Sequence, residues 1–281
     1  MYIDKDQDHK NRLKEYNKEL DRYRDIRCNE SNNVPLPDGR YINASYIGVI
    51  FRTNYFITTQ APKKNTIEDF WEMVFKEKTK VIVMLCNLVE GGKTKCENYI
   101  TPEQAMKNFN LVETKKEENE EYDVRTLDLI KLNREANTGT IDPNAAINEK
   151  RTITHIHYKK WPDKGVPNID SFKTFEKIIV LVDRINKVKV ENEKEDELHP
   201  IVVHCSAGVG RTGTFISMFC LYKEIKMAQI DKGDEVIEFN IFNLVRKMKE
   251  MRLHMVQAFE QYKFVYQFAK YLLDNYNKKD K

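Results

Sequence analysis

The stretch that decides the fold is IVVHCSAGVGRTGTF, residues 201–215. Its apolar start, 201–203, predicts a short buried strand that ends at His204, and the small residues that follow predict a tight turn. A helical pattern then starts at Thr212 and continues to about Ile225. Because a buried strand, a turn and a helix follow one another here, the segment predicts an α/β fold.

Periodicity elsewhere in the chain predicts further strands and helices. Strands are predicted at residues 81–85, 122–132 and 151–161. Amphipathic helices are predicted at residues 66–75, 170–185, 236–251 and 259–276. Thr66 and Asp69 have the spacing of a capping box, which would start the first of these helices.

Two charge-dense stretches, residues 115–121 and 187–197, lie between apolar segments and are predicted to be surface loops. They suit excursions of one domain better than a boundary between two, since no repeat or flexible linker divides the chain. We therefore predict a single domain over residues 1–281. Its fold class is α/β, a twisted mixed β-sheet flanked by α-helices.

The composition is that of a globular chain without nucleic-acid or membrane signatures. The 281 residues include 47 Lys+Arg and 44 Asp+Glu, a formal charge of +3, which is too balanced for a dedicated nucleic-acid binder. No apolar run approaches the roughly 20 residues that span a bilayer, so no membrane segment is expected. The five cysteines are odd in number and show no close pairing. They favour a reducing compartment, and we predict a cytoplasmic location.

The turn that follows the strand carries a cysteine and an arginine around an anion-binding backbone. Its small side chains let N–H groups approach an anion closely, and the helix start adds positive partial charge. The residues that would present those groups are Ser206, Ala207, Gly208, Val209 and Gly210. Arg211 adds a planar fork for two phosphate oxygens. A lone buried cysteine is usually a small apolar residue, but this combination predicts a phosphate site with Cys205 as nucleophile.

Two neighbours of Cys205 are predicted to support it. Thr212 can donate its hydroxyl to the sulfur, and His204 can hold the base of the loop. Cys205, five residues, Arg211 and Thr212 resemble the phosphate-binding loop of the cysteine-dependent phosphatases.

The wider sequence is similar to the tyrosine-specific protein phosphatase family from about Asp21 to Tyr266. The segments that carry this resemblance, in the family's order, are RYRDI (22–26), YINASYI (41–47), TTQAP (58–62), EDFWEMV (68–74), VIVML (81–85), KCENY (95–99), HYKKWPDKGVP (157–167) and QAFEQYKFVY (257–266). The resemblance implies hydrolysis of protein phosphotyrosine through a cysteinyl phosphate. It implies phosphotyrosine-containing proteins as partners, and no cofactor.

The resemblance also implies residues for acid–base chemistry. Asp163, in the WPD segment, resembles the acid that protonates the leaving oxygen and then activates the hydrolytic water. Trp161 belongs to the same segment, which resembles a loop that closes over the site. Gln257 is implied to position that water. Gln261 is implied to support the phosphate site, on the same face as Gln257 if both are helical.

Further residues are implied to bind the substrate. Tyr23 resembles the ring that stacks on the substrate phenyl and sets the depth of the cleft. Asp25 resembles the carboxylate that holds the peptide backbone. The sequence departs from the family at Asp21, where asparagine is usual, so that a charge replaces an amide.

Supporting residues follow from the same resemblance. Glu90 resembles the acid that orients the phosphate-binding arginine, and Lys95 the base that contacts the mobile acid loop. Tyr99 resembles the partner of the histidine before the nucleophile. The spacing of the histidines and cysteines predicts no metal site. His155 and His157 share a strand face, and we expect them to pack near a sheet edge.

Two other functions fit parts of this pattern. A dual-specificity or lipid phosphatase shares the cysteine-to-arginine loop but has a shallower cleft, without the segment around Tyr23. A catalytically inactive module would bind phosphotyrosine without turning it over. Comparing hydrolysis of phosphotyrosine and phosphoserine versions of one peptide distinguishes a tyrosine-specific phosphatase from the first alternative. Turnover of an aryl phosphate would exclude the second, the inactive module.

Overall fold

Nine strands and five α-helices form the main regular structure of the described residues. The computed structural model describes residues 13–49, 52–102, 105–132, 149–162, 165–187, 199–231 and 239–276. The strands are β1 (Ala44–Val49), β2 (Arg52–Thr59), β3 (Val81–Met84), β4 (Val89–Glu90), β5 (Lys93–Thr94), β6 (Phe109–Glu118), β7 (Tyr122–Lys131), β8 (Lys150–Tyr158) and β9 (Ile201–His204). The helices are α1 (Ile67–Lys76), α2 (Phe172–Asn186), α3 (Gly210–Asp231), α4 (Ile241–Met251) and α5 (Phe259–Tyr276).

Seven of these strands form one mixed sheet in the order β1-β2-β9-β3-β8-β7-β6. The four central strands, β2, β9, β3 and β8, run parallel, and the outer pairs are antiparallel. Every residue of β3 and β9 is buried. Strands covered on both faces read as continuous apolar runs, which is why these two were visible in the sequence. The predicted fold class is confirmed.

The helices bury apolar faces against the sheet and against one another. Helix α2 contacts β3 and α3, α4 contacts β1, and α3 packs along α5. Trp161, Phe172, Phe175 and Phe264 form an aromatic cluster in which the ring centroids of Phe172 and Phe264 lie 4.7 Å apart. This cluster packs Trp161, at the start of the WPD segment, against helices α2 and α5.

The prediction of a surface loop at residues 115–121 is wrong for most of its length. Residues 115–118 belong to β6, which pairs with β7 as far as Glu118 opposite Asp123, so the turn occupies only residues 119–121. Strand β6 is the edge of the sheet, where charged side chains face solvent while the backbone still pairs on one side. The run of charge therefore signalled exposure and not a loop. The second stretch, from residue 188 onward, lies outside the described residues.

Two helix starts also differ from prediction. The hydroxyl of Thr66 accepts a hydrogen bond from Lys63 N–H at 2.9 Å, so it closes the 3₁₀ turn Lys64–Thr66 and does not cap α1. Helix α4 begins at Ile241, because residues 239–240 are not helical, and residues 236–238 of the predicted helix lie outside the described residues. Its N-terminus is capped by the side chain of Asn240, which accepts from Asn243 N–H at 2.9 Å.

Candidate active site

The loop between β9 and α3 carries Cys205 at its start and Arg211 in the first turn of the helix. Gly208 has a φ of +72°, and a Cβ built there would lie 2.0 Å from the carbonyl oxygen of Thr59. Only glycine fits such a close approach to β2. The N–H of Gly208 donates to Cys205 Sγ at 3.3 Å. The loop therefore curls around the sulfur and points an amide at it.

Arg211 is fixed by a two-point ion pair with Glu90. Its Nη1 donates to Glu90 Oε1 at 2.6 Å and its Nη2 to Glu90 Oε2 at 2.8 Å. Burial alone would lower the pKa of the Arg211 guanidinium, but the hydrogen bonds and charge of Glu90 raise that pKa above its usual value. Nη2 also donates to the carbonyl of Pro162 at 3.1 Å. The predicted contact between Arg211 and Glu90 is thus present.

A cleft of about 280 Å³ brings most of the predicted site residues together. Its lining consists of Tyr23, Asp25, Ile26, Glu90, Lys95, Cys205, Ser206, Ala207, Gly210, Arg211, Gln257 and Gln261. At its rim, Tyr23 and Ser206 share a hydrogen bond of 2.8 Å between their hydroxyls, and Ser206 Oγ donates to the carbonyl of Lys95 at 2.9 Å. Three segments distant in sequence therefore meet at the mouth of the loop.

Gln257 and Gln261 both line this cleft, but only Gln261 lies in a helix. Gln257 lies before α5 and is not helical, so the condition for a helical face shared with Gln261 is not met. Gln261 lies in the first turn of α5, where its Oε1 accepts from Ala258 N–H at 3.1 Å. A Cβ at Gly210 would lie 2.9 Å from Gln261 Nε2, so this glutamine packs directly against the loop.

Thr212 does not make the predicted bond to the nucleophile. Its hydroxyl is buried and has no hydrogen-bond partner within the described residues. The sulfur of Cys205 instead accepts from the amide of Gly208. Val209 is fully buried, and its carbonyl accepts from Gly213 N–H at 2.8 Å, which joins the loop to α3.

The segment predicted to carry the general acid, residues 161–165, is described only at its two ends. Asp163, the predicted general acid, lies outside the described residues. Trp161 is 2% exposed, and its Nε1 donates to the carbonyl of Gly165 at 3.3 Å. This bond joins the two described ends of the segment.

A buried network of three side chains lies beneath the nucleophile. Tyr99 OH lies 2.6 Å from His204 Nε2 and 2.7 Å from His155 Nε2, so the predicted partner of His204 is in place. His204 Nδ1 faces the carbonyl of Cys205 at 3.1 Å, where it must donate. Its bare Nε2 then accepts from Tyr99, and His155 donates to the phenol oxygen. Burial lowers the pKa of His204 to about 4, which keeps it neutral.

Sequence reasoning missed the place of His155 in this network. It expected the histidine near a sheet edge, but β8 lies inside the sheet between β3 and β7, and His155 is fully buried. The alternation of residues along β8 predicts which face of the sheet His155 lies on. The neighbours of His155 on that face depend on the order of the strands.

Arg252 is the second residue that the sequence did not reveal. It follows α4, is fully buried, and donates from Nε to the carbonyl of Gly208 at 3.1 Å and from Nη2 to that of Ala207 at 3.3 Å. It therefore holds the back of the phosphate loop. One arginine at the end of an amphipathic helix carries no signal of this role, because most such residues are solvated.

Asp21, where the sequence departs from the family, is also buried. Its carboxylate accepts from Tyr41 O–H at 2.8 Å, from Asn43 Nδ2 at 2.9 Å and from Asn17 N–H at 2.9 Å. Three donors therefore satisfy the charge that replaces an amide.

The described residues show neither a metal cluster nor a helix fit to cross a membrane. In this part of the chain, no three histidine, cysteine or acidic side chains gather as a metal site would require. Among its helices, none has the length and apolar character of a membrane crossing.

The fold and the loop from Cys205 to Arg211 agree with the pattern that the sequence resemblance implies. The chain belongs to the protein-tyrosine phosphatase family, because the model of that family, described as "Protein-tyrosine phosphatase", matches residues 17–271. The family predicted from the sequence is thereby confirmed.

Individual relatives agree with this assignment. Tyrosine-protein phosphatase non-receptor type 20 of Rattus norvegicus is 33% identical over 266 residues, which are 92% of this chain and 55% of that protein. Tyrosine-protein phosphatase 3 of Dictyostelium discoideum is 36% identical over 259 residues, 87% of this chain and 24% of that protein. The chain thus spans about half the length, or less, of these curated relatives.

A solved structure gives the same result for the fold. The catalytic domain of human protein tyrosine phosphatase non-receptor type 18 superposes with a TM-score of 0.74 at 28% sequence identity. The match covers 90% of this chain and 84% of that one.

Proposed function

We propose that this chain hydrolyses phosphotyrosine in proteins through a cysteinyl-phosphate intermediate. Cys205 attacks phosphorus, while the amides of the loop and the fork of Arg211 bind the phosphoryl oxygens. Asp163 protonates the departing phenol oxygen and, now ionised, takes a proton from the water that Gln257 positions. That water breaks the S–P bond and restores the thiolate.

One observation carries this proposal: a thiol and a fixed guanidinium lie at the base of a single cleft, with Tyr23 at its rim. The Glu90 pair supports the clamp role of Arg211, because it presents the guanidinium in one orientation. A rim set by a tyrosine ring favours the long phosphotyrosine side chain over shorter phosphoserine. Asp25, Lys95 and Gln261, on the same cleft, are proposed to bind or orient the peptide and phosphate.

Two substitutions test the residue roles. Cys205→Ser should abolish turnover of a phosphotyrosyl peptide and leave phosphate binding, since the loop amides remain. Asp163→Ala should lower kcat by about 100-fold or more and change substrate affinity less. Asp170→Ala, in the exposed turn Ile169–Ser171, is the matched control and should leave kcat unchanged. Wild-type kcat in Asp163→Ala at neutral pH would contradict the acid role.

Substrate class is tested with one peptide in two forms. The phosphotyrosyl form should be hydrolysed and the phosphoseryl form left intact. Comparable turnover of both would assign a dual-specificity phosphatase instead, and turnover of neither, nor of an aryl phosphate, would assign a binding module.

Two broader predictions belong to the same proposal. We propose that residues 1–281 form one catalytic domain, which the family match over residues 17–271 supports. We also propose a cytoplasmic location, supported by the cysteine content and by relatives named as non-receptor phosphatases. Imaging of the tagged protein in its own cells tests the location.

A further inference from the structure

The guanidinium of Arg252 is a buried positive charge directly behind the phosphate loop. It donates to the carbonyls of Ala207 and Gly208, to Ser45 Oγ at 3.1 Å and to Asn43 Oδ1 at 3.0 Å. Every acceptor that the described residues offer it is uncharged. A buried ion without a counter-charge is costly, so the charge that balances it must lie one step further away.

Asp21 is the acidic residue that lies one hydrogen-bonded side chain away from Arg252. Asn43 accepts from Arg252 through its Oδ1 and donates through its Nδ2 to Asp21 Oδ1 at 2.9 Å. One amide thus joins the carboxylate to the guanidinium. Asp21 is 3% exposed, and the three groups that contact its carboxylate, on Asn17, Tyr41 and Asn43, all donate. Such surroundings suit an ionised carboxylate, which only accepts.

The other acidic groups near Arg252 do not supply a permanent charge. Burial lowers the pKa of Arg252, while Cys28, Tyr41, Cys205 and Asp21 raise it. Burial also raises the pKa of Cys28 and that of Tyr41, so both stay neutral at neutral pH. In the proposed reaction, Cys205 carries no negative charge while it holds the phosphoryl group, so it does not balance Arg252 throughout the cycle. Asp21 is left as the fixed negative partner.

We propose that Asp21 is the counter-ion of Arg252 and that, by balancing this charge, it limits the affinity of the phosphate loop for the phosphate dianion. Asp21 is a positioning residue, since its carboxylate reaches Arg252 through Asn43, and Arg252 in turn contacts the loop. The proposal rests on the phosphatase function and adds to it a residue that sets how tightly product phosphate is held.

The sign of the effect separates this role from a structural one. Asp21→Asn keeps the shape of the side chain and removes its charge, so Arg252 is left unbalanced behind the loop. Charges interact strongly in a buried setting, and phosphate should then bind more tightly. Simple damage to the loop would weaken binding instead.

Inhibition by inorganic phosphate measures this directly. The inhibition constant against aryl phosphate hydrolysis should be at least about threefold lower in Asp21→Asn than in wild type, at fixed pH and ionic strength. The matched control is Asp183→Asn, which removes a half-buried carboxylate paired with Lys223 at 2.9 Å and should leave the constant unchanged. A smaller decrease in Asp21→Asn, or any increase, overturns the proposal.

A stability cycle tests the counter-ion without using activity. Asp21→Asn and Arg252→Met each leave one buried charge alone, so the double variant should resist urea better than Arg252→Met. If the losses of unfolding free energy in the two single variants simply add in the double variant, the proposed pairing is overturned. If Arg252→Met does not fold, phosphate inhibition of Asp21→Asn decides alone. If wild type neither hydrolyses aryl phosphates nor binds phosphate, the proposed function fails, and the urea cycle still decides whether the two residues are paired.

Discussion

Replacing Glu90 with glutamine isolates the ion pair that orients Arg211. Glu90 Oε1 also accepts from Asn87 N–H at 2.9 Å, so the carboxylate holds both the guanidinium and its own loop. Glutamine keeps one acceptor oxygen for these bonds. Its amide group then stands where Glu90 Oε2 now accepts from Arg211 Nη2 at 2.8 Å, and two donors face each other.

The burial of the pair sets the size of the effect. The side chain of Glu90 is 4% exposed and that of Arg211 is 12% exposed, so solvent screens the pair weakly. Unit charges about 4 Å apart attract by about 4 kcal/mol at an effective dielectric constant of about 20. Removing one partner of a buried pair costs about 3–5 kcal/mol. We expect Glu90→Gln to lower the free energy of unfolding by about 3 kcal/mol and kcat/KM by about 100-fold.

Two assays check these values. Urea unfolding gives the loss of stability, and kcat/KM for a phosphotyrosyl peptide gives the loss of transition-state binding. Glu250→Gln is the matched control, because its pair with Arg246 at 2.7 Å is about half exposed and should change stability by at most about 0.5 kcal/mol. A kcat/KM within about threefold of wild type in Glu90→Gln would refute the idea that this pair holds the phosphate clamp.

Two other outcomes follow from the structure. Gly208→Ala should lower the free energy of unfolding in urea by about 3 kcal/mol or more, since its Cβ would meet Thr59 O at 2.0 Å. Gly92→Ala is the control: Gly92 also has a positive φ but faces open space, so the loss should be about 1 kcal/mol. For His204, burial holds the folded pKa at about 4, so only the unfolded chain takes up this proton as pH falls below about 6.5. Stability should then drop by about 3 kcal/mol between pH 7 and pH 4. Equal urea midpoints at both pH values would contradict this.

The fold was predictable where the pattern of apolar residues indicates which residues are buried. Strand β9 reads as a continuous apolar run because both of its faces are covered, and α2 repeats its apolar residues because one face packs on the sheet. The strand at residues 115–118 was not predictable in this way. Its side chains face solvent at an edge, and charge reports exposure without reporting backbone pairing.

The site was predictable where its residues share one segment of chain. Cys205 and Arg211 are six residues apart, and their small neighbours mark the loop. Arg252 and His155 reach the same loop only through tertiary packing, and no local pattern distinguishes them from other basic or buried residues. Their places follow from the order of the strands and from the turn after α4.

The most direct test of the account is to trap the phosphorylated enzyme. A ³²P-labelled phosphotyrosyl peptide is mixed with Gln257→Ala, in which slower hydrolysis should let the intermediate accumulate, and with wild type under rapid quench. We expect the label on the peptide that contains Cys205, and none in Cys205→Ser. Turnover that leaves the label on another residue, or no labelled protein in either enzyme, would contradict a cysteinyl phosphate at Cys205.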